Sequence, residues 1–292
     1  MKFKREELER YAQPLSDTEK EQCKHAINMV KDALISSGYI VTKNLDTYES
    51  EIDTSYYYEL RDSVYGKITL ILQGSYANNT NIRRVSDVDV SVVYQPGLPI
   101  SFENYKSSIY NSLIAKFGKD DVQRKNKSIN VKGNSYRKSI DVVPAFPRNG
   151  LVENGIYLIT DKEKETIYNY PLQHIKNGLE KNKQTNYKYK KIVRIIKYIK
   201  FFMEECGISS AKEIGSFKVE SLIWNVPNDV FEKYTSLGYI VEEVIKYLNE
   251  HLWEINTYYE VNGIKRLCNI PEDYTKYVQF VKDLNVFFEY EV

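Results

Sequence analysis

LQGSYANNTNIRRVSDVDVSVVY, residues 72–94, sets the reading of the whole chain. An apolar stretch runs into Gly74-Ser75, and after eleven intervening residues Asp87-Val-Asp89 stands in a second β-rich run. Carboxylates have poor strand propensity, and two on one face of a strand repel each other. Residues i and i+2 of a strand point the same way, so Asp87 and Asp89 share a face while Val88 and Val90 turn into the core. Lys138-Ser-Ile-Asp-Val-Val143 places a third carboxylate, Asp141, between apolar neighbours. If the two strands are adjacent, three carboxylates converge, and they stay ionised together only with cations between them. Hard oxygen ligands select Mg²⁺ or Mn²⁺, and a pair of such ions suits in-line phosphoryl displacement. Gly74 permits a tight turn and close backbone approach to a phosphate. The short helix expected at Tyr76–Asn79 would offer free N–H groups, and Ser75 a hydroxyl donor. A lone Asp-x-Asp or Gly-Ser carries little, the latter usually being a plain turn. Their conjunction with the later apolar-Asp-apolar strand points to metal-dependent nucleotidyl transfer.

Outward from this stretch, strands are expected at Lys67–Leu72, Val88–Tyr94 and Ile156–Thr160. Ser128–Val131 and Tyr136–Val143 read as a hairpin around Lys132-Gly133-Asn134. Ser16-Asp17-Thr18-Glu19 is a capping box, and behind it Cys23, Ala26, Ile27, Val30, Ala33 and Leu34 fall on one helical face that Gly38 ends. Another helix spans Phe102–Phe117. After about Thr160, helices are expected at Pro171–Lys181, Tyr187–Glu205, Ser216–Asn225, Asn228–Leu252 and Glu272–Phe288, with no strand between them. The fold class is α+β: a mixed-sheet domain over 1–160 and a helical domain over 161–292. No low-complexity linker separates them, so the two are expected to pack closely around a cleft.

Composition narrows the function. Forty-one Lys and Arg balance 40 Asp and Glu in 292 residues, so no long nucleic acid is expected as a partner and any polyanion site is local. Cys23, Cys206 and Cys268 match no metal spacing and read as reduced thiols, two or three of them in the core. The start, MKFKREELERY, lacks an apolar signal region, and no apolar run approaches a membrane span, which points to a cytoplasmic chain. His25, His174 and His251 have no spacing that suggests metal or triad chemistry, and read as surface or satisfied core positions.

The order apolar-Gly-Ser, Asp-x-Asp, third Asp resembles the nucleotidyltransferase superfamily signature, which implies a polymerase-beta-like sheet domain. More narrowly, QGSYANNTNIRRVSDVDV is similar to the bacterial CD-NTases, the cGAS/DncV-like enzymes that make cyclic oligonucleotide signals. ERYAQPLSDTEKEQ (9–22) resembles their opening, especially that of clade E, and TNYKYKKIVRIIKYIK (185–200) and GSFKVESLIWNV (215–226) extend the likeness. The resemblance implies that Asp87, Asp89 and Asp141 hold two Mg²⁺ or Mn²⁺ ions and that Asp141 activates the attacking hydroxyl. Gly74 and Ser75 would hold the donor triphosphate of ATP or UTP. Lys190 or Lys191 would touch the triphosphate, Ser216 and Phe217 phosphate and base, and Asn186 with Thr185 the base. Against this, the stripe Lys190, Arg194, Lys197 reads more plainly as a solvated charged face, and Phe217 equally as core. The implied function is synthesis of a cyclic dinucleotide in antiphage CBASS signalling, by a monomer whose product activates a separate effector. The rivals are transfer to another acceptor (an RNA end, an antibiotic or a protein) and a catalytically dead nucleotide sensor. Three mutually repelling carboxylates weigh against the sensor.

Overall fold

The computed structural model describes residues 1–45, 57–62, 66–96 and 100–291. Along the chain, β1 (Lys2–Lys4) and α1 (Arg5–Tyr11) precede the long helix α2 (Asp17–Ser36). Strands β2 (Tyr39–Leu45), β3 (Tyr57–Asp62) and β4 (Gly66–Gln73) lead into a single helical turn, α3 (Gly74–Ala77), and then β5 (Val88–Pro96). Helix α4 (Phe102–Phe117) is followed by β6 (Val122–Arg124), β7 (Ile129–Val131), β8 (Ile140–Pro147), β9 (Ile156–Ile159) and β10 (Thr166–Asn169). Helices α5 (Pro171–Gln184), α6 (Tyr189–Glu205), α7 (Ser209–Glu213), α8 (Ser216–Trp224), α9 (Leu237–Glu250) and α10 (Pro271–Phe287) come next, and β11 (Glu289–Glu291) follows them.

These elements form two compact units, which are not the two halves of the sequence. One comprises Leu15–Asn78 and Arg83–Leu172; the other comprises Met1–Pro14, Asn79–Ile82 and Gln173–Val292. The division expected at 160 therefore falls at 172, and two earlier segments join the helical unit.

The sheet unit is one mixed sheet in the order β10-β9-β8-β5-β4-β3-β2, with β7 also pairing β8 and β6 pairing β7. β4 and β5 are antiparallel, whereas β5 and β8 are parallel. A parallel pair needs a long crossover, and α4 supplies its helix. Ser101 starts α4 by accepting the Asn104 N–H (3.2 Å), and Gly118 ends it at φ +84°. The capping box of α2 forms as expected: Ser16 Oγ accepts the Glu19 N–H and Glu19 Oε2 accepts the Ser16 N–H, both at 3.3 Å. All six residues of its expected apolar face are buried in the core that also holds Val88, Val90, Val92, Ile140 and Val142.

Several local expectations are corrected. β10 lies past residue 160; it is a half-exposed edge strand of Thr-Ile-Tyr-Asn and so carries no apolar run. β2 and β3 extend the sheet beyond the strands read from sequence. β7 and β8 do pair, but through Val131↔Ile140, so 132–139 form a longer connection than the expected three-residue turn. Asn134 Oδ1 shapes it by accepting the N–H groups of Tyr136 (2.9 Å) and Arg137 (3.0 Å). The single helix expected at Asn228–Leu252 is a 3₁₀ turn at Asn228–Phe231 followed by α9, because 232–236 is polar and offers no apolar helical period. Of the cysteines, all free, only Cys23 is buried.

In the helical unit, α6 lies within an apolar core with Val219, Leu222, Val241, Val244, Phe280 and Leu284. Phe3 enters the same core because β1 pairs in parallel with β11. Among the described residues no helix is long and apolar enough to cross a membrane.

Candidate active site

The sheet register brings the carboxylates together. Asp89 on β5 is the partner of Asp141 on β8, and its other neighbour is Gln73 at the end of β4. Paired residues on adjacent strands face the same side, with the strands about 4.8 Å apart. Asp87 precedes β5 by one residue, where the Val88 N–H donates to the Ser139 carbonyl (3.0 Å), and so continues the same face. Burial raises the pKa of the Asp87 carboxyl, the charge of Asp141 raises it further, and Lys125 and Lys138 oppose the rise. Asp141 accepts from Asn130 Nδ2 (2.8 Å) and Lys125 Nζ (3.2 Å). Among the described residues no three His, Cys, Asp or Glu side chains stand as a ready ligand cage. The donor set nevertheless fits a hard divalent cation: three carboxylates share a face, one titrates high through desolvation and then through the charge of another, and an ammonium already answers the charge of Asp141.

β4 delivers Gly74-Ser75 to the same edge. Gly74 adopts φ +65°, and a Cβ there would lie 2.2 Å from Asp89 Oδ2. Only glycine suits this position, on backbone and on contact grounds alike. Asn78 closes the turn by donating its side-chain N–H to the Gly74 carbonyl (2.7 Å). Ser75 is half-buried as the second residue of α3, while Tyr76 is buried behind it. A charge-assisted hydrogen bond contributes about 1.5–3 kcal/mol. If Ser75 holds a phosphate, Ser75→Ala is expected to change the nucleotide KM or kcat by roughly 10- to 100-fold, measured as initial rates of pyrophosphate release.

The remaining expected residues lie in the helical unit. Lys190 is buried in the first turn of α6, where its N–H donates to Asn182 Oδ1 (3.1 Å), and Lys191 beside it is exposed. The solvated-face reading of the Lys190, Arg194, Lys197 stripe is overturned, since all three are buried. Arg194 donates to the carbonyls of Ala12 (2.7 Å) and Asn79, and Lys197 Nζ lies 2.7 Å from Glu220 Oε2. Burial alone would raise the pKa of Glu220, but Lys197 and His174 outweigh it and hold the carboxyl well below its usual range. His174, in a satisfied buried position as expected, contacts Glu220 at 2.9 Å. Phe217 is 36% exposed and sets its ring edge-on to His174, with centroids 5.1 Å apart. It is not core. Ser216 opens α8 at the surface. Asn186, at φ +48°, donates to Glu232 Oε1 (2.6 Å), and buried Thr185 accepts the Tyr189 N–H (3.1 Å). His25 and His251 each meet a backbone carbonyl, of Tyr136 and Tyr247.

Asn130 and Lys125, both on Asp141, escape the sequence reading. Asn130 carries a legible signal, a polar residue between Ile129 and Val131 on a strand. Lys125 carries none, being one of three basic residues in Arg124-Lys125-Asn126-Lys127.

Residues 13–186 match the model of the Second Messenger Oligonucleotide or Dinucleotide Synthetase domain. Residues 176–289 match that of the cGAS/DncV-like nucleotidyltransferase C-terminal helical domain. A cyclic GMP-AMP synthase of Staphylococcus schleiferi is 36% identical over 99% of this chain and 98% of its own length. A cyclic dipyrimidine nucleotide synthase of Cecembia lonarensis is 32% identical, over 97% of this chain and 95% of its own. The solved structure of the Elizabethkingia meningoseptica CdnE cyclic dinucleotide synthase with GTP and Apcpp superposes at TM-score 0.75. Its identity is 30%, over 96% of this chain and 97% of that one.

Proposed function

Because this chain belongs to the family of Second Messenger Oligonucleotide or Dinucleotide Synthetases, a nucleotidyltransferase family, we propose that it joins two nucleoside triphosphates into a cyclic dinucleotide. The observation that carries the reading is the register of Asp89 with Asp141, with Asp87 on the same face and Gly74-Ser75 at the neighbouring strand end. Asp87, Asp89 and Asp141 would hold two Mg²⁺ or Mn²⁺ ions, which when bound neutralise charge on the phosphates. Ser75 and the backbone at Gly74 hold the donor triphosphate. Asp141 takes the proton from a ribose hydroxyl of one nucleotide. That oxygen bonds to the α-phosphorus of the other, the bond to the β-phosphate bridge breaks, and pyrophosphate leaves. A second such step closes the ring. In the helical unit, Lys190 and Ser216 serve the triphosphate, and Phe217 and Asn186 the base. The product activates a separate effector in antiphage defence.

The relatives include a cyclic GMP-AMP synthase and a cyclic dipyrimidine nucleotide synthase, so GTP with ATP, and UTP with ATP or CTP, are the pairs to test first. Purified protein with triphosphates and Mg²⁺ or Mn²⁺ is expected to release pyrophosphate without any added acceptor. The product should survive alkaline phosphatase, because a ring carries no terminal monoester, and mass spectrometry then gives its composition. Pyrophosphate release only on adding RNA, an antibiotic or a protein would overturn the cyclase reading.

A further inference from the structure

Three buried charges of the helical unit converge on the four-residue segment Asn79–Ile82. Asn79 adopts φ +51°, and Thr80, Asn81 and Ile82 are buried. Arg194 donates to the Asn79 carbonyl, and through Nε to that of Ala12 (2.7 Å). Lys197 Nζ reaches both the carbonyl and the hydroxyl of Thr80, each at 3.1 Å. The Thr80 hydroxyl donates to Glu220 Oε2 (2.6 Å), the same oxygen that Lys197 meets at 2.7 Å, while the other Glu220 oxygen faces His174. The segment thus has its backbone and its one hydroxyl gripped by side chains from α6 and α8.

A buried ion pair is a poor source of stability, since apolar residues of similar volume often do as well or better. What it supplies is orientation: a fixed donor and acceptor that accept one path of the backbone and penalise others. This path matters because of where it lies in the chain. The segment is covalently joined to α3, which carries Gly74-Ser75, and on its other side to Asp87. Apolar packing alone would hold Ile82 but leave the carbonyls of Asn79 and Thr80 free to rotate.

We propose that Lys197 and Glu220, with Arg194 and Thr80, are positioning residues that fix the Asn79–Ile82 turn and thereby the spacing between Ser75 and Asp87. The inference rests on the nucleotidyl-transfer reading above.

Thr80→Val keeps the side-chain shape and removes the hydroxyl, whereas Thr80→Ser restores it. A displacement of about 1 Å at a reacting group can cost 10²-fold, so kcat per folded molecule is expected to fall at least ~10-fold in the valine variant and to recover in the serine variant. Amide hydrogen exchange of 79–82, read in the same samples, is expected to quicken in the valine variant alone. Should that variant not fold, Lys197→Met with Glu220→Leu removes both charges together, and with them the Glu220 acceptor of the Thr80 hydroxyl and of His174. It is expected to melt a few degrees below the parent, because two buried polar groups lose an acceptor, and to lose at least ~10-fold in kcat per folded molecule. A stable double variant with parental kcat, or a valine variant with parental exchange and kinetics, would overturn the proposal. A parent protein that releases no pyrophosphate counts instead against the nucleotidyl-transfer reading, and exchange at 79–82 still decides the clamp.

Discussion

Asp87→Asn combined with Asp89→Asn is expected to cut pyrophosphate release by at least ~10³-fold while leaving the fold intact. The substitutions keep the size of both side chains and remove two ligand charges from a face whose third carboxylate is the register partner of Asp89. If divalent ions held there stabilise transition-state charge, no neighbouring group replaces the loss. Lys125 and Asn130 both sit on Asp141 and carry no negative charge. Stability should hold or rise slightly, because partial desolvation and repulsion from Asp141 raise the pKa of the Asp87 carboxyl, an effect that solvent at this exposed residue keeps small. Its ionised form is therefore disfavoured in the folded protein, and that penalty, absent at low pH, is present above its folded pKa. The measurements are initial rates and a thermal melt near neutral pH. Undiminished turnover by the double variant would remove these residues from the active site.

Gly74→Ala is expected to lose at least ~10²-fold in activity and to lower the melting temperature by a few degrees. The left-handed backbone at φ +65° costs a non-glycine residue roughly 1–2 kcal/mol. The new Cβ would also stand 2.2 Å from Asp89 Oδ2, so the carboxylate must leave its position or the turn must open. Gly118→Ala supplies the comparison: it shares the positive φ, at +84°, but nothing lies within 4 Å of its Cβ. Both variants should lose stability, and only Gly74→Ala should lose turnover beyond what unfolding explains. Equal activity in the two folded variants would mean that Gly74 is a turn and nothing more.

The centre of the sheet was legible because alternation is a local signal. Val88, Val90, Ile140 and Val142 declare one face buried, so the aspartates between them must share the other. The α2 cap and its apolar face were legible for the same reason. What stayed hidden depends on partners remote in the chain. Lys190, Arg194 and Lys197 fall on a stripe that looks solvated, and nothing nearby announces that Lys197 will meet Thr80, 117 residues away. Strand β10 was missed because an exposed edge of alternating polarity has no run to detect, and β1 and β11, three residues each, carry no period at all.

The interleaving of the two units along the chain bears on how the protein is made. A ribosome adds about 5–20 residues per second. Residues 79–82 emerge early, yet the side chains that grip them, from Arg194, Lys197 and Glu220, lie more than a hundred residues downstream. The first fourteen residues wait longer still, for β11 at 289–291. For a delay on the order of ten to forty seconds after Ile82 is made, the helical unit lacks its last elements. During that time the nascent chain can pair β4 with β5 but cannot settle the turn between them. On the proposal above, a half-made chain on the ribosome holds its aspartates without holding them in place, and full turnover waits for the helical unit that grips the turn.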